Sequence, residues 1–424
     1  MKIFEEVMER IDKGRESARD FETVFNIGYM NKIVQNKRVQ PLKEEFTRVK
    51  KYFIKNFDEL IKQAIESLQA RDCNVFLAKT KKDALDYILN EVQGEEIIVK
   101  SKTETGKEIG LTKFLEANGF NNKIVETDLG DRIIQLLNAK PSIPMGPAVH
   151  LSESEIAAKL SEIYNIEVPP SAHEIVKIGR EQLRKDILRA NVCITGANVI
   201  VADDGLIGLM ENEGNISLIT RLCSKHICLA GVDKIVPNWY DAITVLKMAE
   251  ASLDLMGAYT SFIKGPSRTA DIRGVEVLQM HGAKEVHVIL LDDYRSKIKG
   301  TEFEEILQCI NCGRCFLACP LIKILGLEIL SSEYSRGPIG LIKTYLLAEN
   351  GLEEAVKMGL FVSTLCRRCQ VNCPSEINIP DMIIKLREMA IQKGLVMEPH
   401  VKIMNSILEN DNPFSMKIEK NMQI

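Results

Sequence analysis

Tryptophan occurs once in 424 residues, histidine six times, and no run of eighteen apolar residues exists. The last absence leaves no sequence candidate for a membrane-crossing helix. The start, Met1-Lys-Ile-Phe-Glu-Glu, is charged where a secretory signal would be apolar, so a soluble, cytoplasmic protein is expected. No G-x-G-x-x-G or P-loop run is present, which removes the motif argument for a dinucleotide or ATP. Basic charge is not in excess either. With 55 Lys and Arg against 59 Asp and Glu, the net charge of -4 argues against nucleic acid or an anionic membrane as the main partner. The histidines (His150, His173, His226, His281, His287 and His400) are dispersed, so no catalytic triad is legible and each reads as a structural or surface residue.

Cysteine is what the chain does have, and its placement is uneven. Seven of eleven lie in two runs: Cys309-Ile-Asn-Cys312-Gly-Arg-Cys315-Phe-Leu-Ala-Cys319-Pro320 and Cys366-Arg-Arg-Cys369-Gln-Val-Asn-Cys373-Pro374. The first is the C-x2-C-x2-C-x3-C-P run of low-potential iron-sulfur proteins, in which three close thiolates hold one cubane and the fourth ligates a second cluster. The geometry demands a second cysteine group, and one is present. A structural zinc site would use four of these thiols and leave three idle. Disulfides would not persist in a reducing compartment.

The second group is one thiol short, because Ser363 stands where a full eight-cysteine ferredoxin would place another cysteine. Exchange between the motifs gives a first cluster held by Cys309, Cys312, Cys315 and Cys373. The second is left with Cys319, Cys366 and Cys369. It is then a three-iron cluster, a four-iron cluster with a hydroxyl, water or unassigned fourth ligand, or one completed by Cys73, Cys193, Cys223, Cys228 or a partner chain. A four-iron cluster with a non-cysteine ligand is the preferred expectation.

Length suggests two or three domains. Residues 1-70 read as a helical extension, with Phe46, Val49, Phe53, Phe57, Leu60 and Ala64 at helical spacing, and no function is assigned to them. Residues 71-300 alternate short strands with helices, which predicts a mostly parallel sheet covered on both faces. Strands are expected at 75-78, 96-100, 123-126, 192-195, 199-202, 206-210, 226-230 and 287-291. A hairpin turn is expected at Asp203-Asp204-Gly205, and one helix from Gly106 to Asn118. The turn Lys100-Ser101-Lys102-Thr103 can receive an anion, although two exposed loop lysines are the plainer reading. Gly196 after a strand permits a close approach to the backbone. Residues 301-400 form a cysteine-bearing helical domain, and 401-424 a tail.

Read in order, Lys100-Ser-Lys102, Glu126-Thr-Asp-Leu-Gly130, Ile134-Gln-Leu136, Pro141-Ser142, Pro147-Ala-Val-His150, Ile194-Thr-Gly-Ala-Asn198, Asn212-Glu-Gly-Asn215 and His287-Val-Ile-Leu-Leu-Asp292 resemble the LUD domain of lactate-utilization proteins. Continued through the cysteine runs and Gly337-Pro-Ile-Gly340, the order is similar to the iron-sulfur subunit of the lactate-utilization complex. The resemblance covers roughly residues 70 to 400. It implies an α/β domain of the NagB/RpiA/CoA-transferase type followed by an all-α helical ferredoxin domain. It also implies membership of a multi-subunit complex that oxidises L-lactate to pyruvate. Residues 143-146 depart from the family's loop, and the long C-terminal extension of many members is not seen. The 46 residues between Cys319 and Cys366 resemble the helical insertion of succinate dehydrogenase and heterodisulfide-reductase subunits. The ending resembles small subunits that work beside a CCG-type cysteine-rich partner.

The expected function is that of a non-catalytic electron-transfer subunit, passing single electrons from a flavoprotein or cysteine-rich partner that oxidises a 2-hydroxy acid. Arg314, Arg367 and Arg368 lie inside the cysteine loops, where cations offset cluster charge or form a docking surface for an acidic partner. The rival class is acyl transfer with a glutamate nucleophile in Glu211-Asn212-Glu213-Gly214, against which stands the plain reading of an acidic turn.

Overall fold

A computed structural model of the chain describes residues 2–24, 36–142, 146–253 and 257–414. Part of the Pro141–Pro147 loop and the end of the tail lie outside them. The chain divides into two compact units. One comprises Met1–Asn26, Cys315–Val371 and Asn378–Ile424, the other Ile27–Arg314 and Asn372–Ile377.

The larger unit is built on a sheet. Its strands are β1 (Asn74–Ala78), β2 (Ile98–Lys100), β3 (Ile124–Glu126), β4 (Val192–Thr195), β5 (Val199–Val201), β6 (Leu206–Glu211), β7 (Lys225–Gly231), β8 (Ile235–Val236), β9 (Tyr259–Ile263), β10 (Arg268–Thr269), β11 (Val277–Leu278) and β12 (Glu285–Leu291). Six form one sheet in the order β1-β12-β7-β4-β2-β3, every neighbouring pair parallel. Strands covered on both faces read as nearly continuous apolar runs, and β4 and β7 are buried along almost their whole length.

The Asp203-Asp204-Gly205 turn does join an antiparallel pair, with Val201 opposite Leu206. Gly205 takes φ 64, and a Cβ there would meet the Ser67 carbonyl oxygen at 2.5 Å. This hairpin leaves the parallel sheet and builds a second one, ordered β8-β5-β6-β9. The sequence hid that sheet because β8 is two residues long and β9 starts exposed. The expected helix from Gly106 to Asn118 is also interrupted. Gly110 at φ 68 splits it into Glu104–Glu108 and Leu111–Leu115.

The amino-terminal extension is divided between the units. Helices Lys43–Lys55 and Phe57–Gln69 bury Phe46, Val49, Phe53, Phe57, Leu60 and Ala64 in the sheet unit, each at most 3% exposed. Helix Lys2–Val24 instead packs on helices Pro320–Leu325 and Gly351–Lys357 of the smaller unit. There Arg10 donates to the Ser331 carbonyl at 3.0 Å. The smaller unit is otherwise helical. Its centre is Pro338–Leu347, buried on most of its surface and packed on Gly351–Lys357 and Ile379–Gln392. Among the described residues no helix is long and apolar enough to cross a membrane.

Candidate iron-sulfur site

All eleven cysteines are free thiols. Four of them, Cys73, Cys193, Cys223 and Cys228, are buried in the sheet unit. Cys193 and Cys223 share a thiol–thiol hydrogen bond there, and the Cys228 thiol donates to the Gly196 carbonyl at 3.5 Å.

Cys309 ends the short helical turn Glu304–Gln308 and is half-buried. Asn311 follows in the left-handed region at φ 58, which asparagine tolerates well, and this turns its backbone N–H toward the Cys309 sulfur at 3.4 Å. Gly313 repeats the device at φ 76, and the Arg314 N–H donates to Cys312. N–H groups aimed at thiolate sulfurs are one of the ways a protein sets the potential of a bound cluster.

The second run enters this neighbourhood through Arg314. Its buried guanidinium donates from Nε to the Asn372 carbonyl and from Nη1 to the Ser252 carbonyl, both at 3.0 Å. That bond holds the residue before Cys373, and the Ser375 hydroxyl donates to the Gln308 carbonyl at 3.4 Å. In consequence the Cys373 thiol lies beside Cys312 and Cys309. Burial and those two neighbours push it up to about 12. Burial likewise raises Cys312, with Cys309 adding to the shift.

Cys319, Cys366 and Cys369 come together in the other unit. Cys319 precedes the Pro320–Leu325 helix and accepts the N–H groups of Ile322 and Leu321. Burial raises its thiol, and Cys366 adds repulsion. Cys369, also buried, is pushed up to about 11 by burial and by Cys319 and Cys366. Cys366 is exposed, between Leu365 at φ 56 and Arg367 at φ 60. Left-handed backbone at a leucine and an arginine is uncommon, and such strain gathers at ligand clamps. Cys315 is half-buried in the turn Arg314–Leu317.

The charges of Cys309 and Cys312 act on Cys373, and those of Cys319 and Cys366 on Cys369, while among the described residues no three His, Cys, Asp or Glu side chains are gathered closely enough to hold a single metal ion. Thiols free of disulfides and flanked by backbone N–H groups have the donor chemistry of iron-sulfur ligands. Raised thiols also imply that metal must displace protons on binding. Ser363, the position of the absent cysteine, is half-buried. Its hydroxyl accepts the Leu365 N–H at 3.5 Å, and its carbonyl accepts Arg387 at 2.5 Å.

Residues 61–291 match the LUD domain family model, and residues 305–377 match the 4Fe-4S dicluster domain model. The chain belongs to the LUD domain family. Its carboxyl-terminal part is a 4Fe-4S dicluster domain, and the family's α/β parallel sheet is the one described above. Similar proteins include lactate utilization protein B of Oceanobacillus iheyensis, 32% identical over 396 residues covering 91% of this chain and 80% of that one. Lactate utilization protein B of Bacillus subtilis is 32% identical across 81% of this chain and 70% of its own. The Escherichia coli protein named uncharacterized electron transport protein YkgF is 31% identical across 83% of this chain and 72% of its own.

Within this LUD domain the remaining predicted residues fall as follows. Lys100 is not an exposed loop lysine. It is 4% exposed and paired with Glu126 at 2.8 Å, so that half of the plainer reading fails. Lys102 is partly buried and lies 3.7 Å from Asp131 and 4.0 Å from Asp128. Glu213 is exposed and accepts the Leu129 N–H at 3.1 Å. Desolvation, then Asp128, push its carboxyl up to about 7. Glu211 is buried and spends both oxygens on the Ser217 N–H at 2.9 Å, a structural use. A Cβ on Gly196 would meet the Thr103 hydroxyl at 2.8 Å, so close approach is real there, with Thr103 as the neighbour. His226 and His287 are buried, His226 against the Thr195 hydroxyl at 2.7 Å and His287 against the Tyr87 hydroxyl at 2.9 Å. The other four histidines are exposed.

Of the three loop arginines, Arg314 faces Cys312 and Cys373, and Arg368 faces Cys319. Arg367 turns outward to Asp381 at 2.9 Å. Sequence reasoning missed the helix Lys43–Lys55 as part of this site. It packs on the turn that ends at Cys309, and its Lys43 pairs with Glu376 at 2.7 Å. Only an ordinary amphipathic pattern marked it in the sequence.

Proposed function

We propose that the chain is the electron-transfer subunit of a multi-subunit oxidoreductase acting on L-lactate or a related 2-hydroxy acid, holding two iron-sulfur clusters. What supports this reading is that both cysteine runs lie within the matched dicluster domain, where Cys309 and Cys312 act on Cys373, and Cys319 and Cys366 on Cys369. The C-x2-C-x2-C-x3-C-P spacing assigns Cys315 as the fourth thiolate of the first cluster, and the second, with three thiols, is a four-iron cluster with a non-cysteine or unassigned fourth ligand or a three-iron cluster. The matched dicluster model and the relatives' names support the class and the substrate.

A bound cluster supplies reversible one-electron transfer. The chain's own residues supply the rest. Cysteine thiols release protons to become ligands, and N–H groups of Asn311, Ile322 and Leu321 stabilise the sulfur charge. Arg314 and Arg368 place positive charge next to the thiolates. Exposed Cys366, Arg367 and Val371, the last 72% exposed, give the second group an outward face for a partner, of flavoprotein or CCG type. The α/β domain is assigned the NagB/RpiA/CoA-transferase architecture. Acyl transfer is the weaker class, since Glu213 is held in a turn by the Leu129 N–H.

The test is to co-purify the chain anaerobically with its bound subunits and add hydroxy acids one at a time. Bleaching of the visible spectrum by L-lactate is expected. Bleaching by none, with acyl-CoA instead labelling Glu213, would replace this reading with the transferase.

A further inference from the structure

Lys50 is 2% exposed, in the middle of the helix Lys43–Lys55. A fully buried ammonium is costly unless it is paired. Its Nζ donates to the Asp233 backbone carbonyl at 2.6 Å. The Asp233 carboxylate bonds Arg295 and lies 3.5 Å from Lys234. Arg295 in turn grips Glu108 at 2.9 and 3.2 Å. Three cations, Lys50, Arg295 and Lys234, therefore face two anions, Asp233 and Glu108, and one positive charge is left over in a buried place. An apolar residue of similar length would fill this position more cheaply.

The excess charge has a neighbour. The helix packs on the turn Glu304–Gln308, whose carboxyl end is capped by Cys309, and Val49 of the same helix shares a core with Ile310, the residue after Cys309. A thiolate at Cys309 would act on both Lys50 and the buried Tyr294. Burial pulls the Lys50 ammonium down to about 8, Asp233 opposing, so it is a cation at pH 7. The same helix reaches the second run through Lys43 and Glu376.

We propose that Lys50 is a positioning charge for the first cysteine group, a buried cation beside Cys309 that stabilises the reduced form of the cluster held there and raises its potential. Reduction adds one electron and moves no proton, so the cluster gains one negative charge. A fixed positive charge inside the fold favours that state, and burial keeps solvent from screening it. The helical extension thereby gains a role in electron transfer that its sequence did not suggest.

This rests on the cluster assigned to Cys309. The experiment uses the full chain, reconstituted anaerobically with iron and sulfide, as wild type, Lys50→Met, Lys50→Arg and Lys43→Met, with a Cys309→Ala variant to identify the first group's signal. Midpoint potentials are read by redox titration followed by EPR. A fall for the first group only is expected in Lys50→Met, with Lys50→Arg and Lys43→Met near wild type. Unchanged first-group potential in a fully loaded Lys50→Met, or an equal fall in both groups, overturns the proposal. Should Lys50→Met lose iron, Lys50→Gln carries the same expectation and the same refutation. A wild type that takes up no iron instead sinks the cluster assignment itself.

Discussion

The two cysteine groups differ in surroundings more than in sequence. The first, Cys309, Cys312 and Cys373, belongs to the sheet unit, where the buried Arg314 holds the Asn372 carbonyl before Cys373 and the buried Lys50 lies on the helix packed against the turn that ends at Cys309. The second has the exposed Cys366, a serine where a fourth thiol is expected, and an arginine, Arg367, paired at the surface. One site is enclosed and rich in fixed positive charge, the other open and one ligand short. On the proposed reading, the difference teaches how one motif would yield two centres. Cluster type follows from the thiols, while potential and access follow from what is packed against them.

The largest expected break in that comparison comes from removing a ligand. Cys309→Ala should cost the first cluster outright, about four irons per chain, and leave the second group's EPR signal in place. Loss of both signals would mean the groups do not bind independently. Arg314→Met comes next, because it leaves the carbonyls of Asn372 and Ser252 without their charged donor. A loss of about 4 kcal/mol is expected in denaturant unfolding of the cluster-free protein, followed by Trp239, the sole tryptophan, which reports the sheet unit.

Acid should also weaken the sheet frame. Burial, with His287 adding, pushes His226 down to about 4 from its ordinary 6.5. Between those values the unfolded chain binds a proton that the folded one refuses, so stability falls as pH drops from 6.5 to 4 by about 3 kcal/mol. His226→Gln should flatten that slope in the same Trp239 assay, and an unchanged slope would reassign the effect. Ser363→Cys sharpens the other side. If Ser363 occupies the fourth-ligand position, the added thiol should leave a four-iron EPR signal that resists oxidative iron loss better than wild type. A stoichiometric three-iron signal in the wild type that persists after anaerobic iron repletion would contradict the preferred four-iron form. The smallest effect is expected from Arg367→Ala. Its pair with Asp381 is half exposed on both sides, so stability should move by about 0.5 kcal/mol or less while electron transfer to an acidic partner slows.

Much of this was legible in the residues themselves. Cysteine spacing marks both runs, and alternation marks the parallel sheet. Local pattern could not reveal what long-range contacts decide. Gly110 breaks a helix that composition alone would continue, and β8 and β9 exist only because the hairpin between them gives them an edge to pair with. Lys100 looks like a loop lysine until Glu126 is brought beside it from the next strand. Lys50 is hidden in the same way, since one lysine in a charged helix carries no mark of burial.

The presence of two iron-sulfur centres is tested most directly by assaying iron, acid-labile sulfide and zinc in protein prepared without oxygen. Two cubanes bring about eight irons and eight sulfides per chain, with a brown colour that bleaches on reduction. Colourless protein holding zinc, with neither iron nor sulfide, would contradict it.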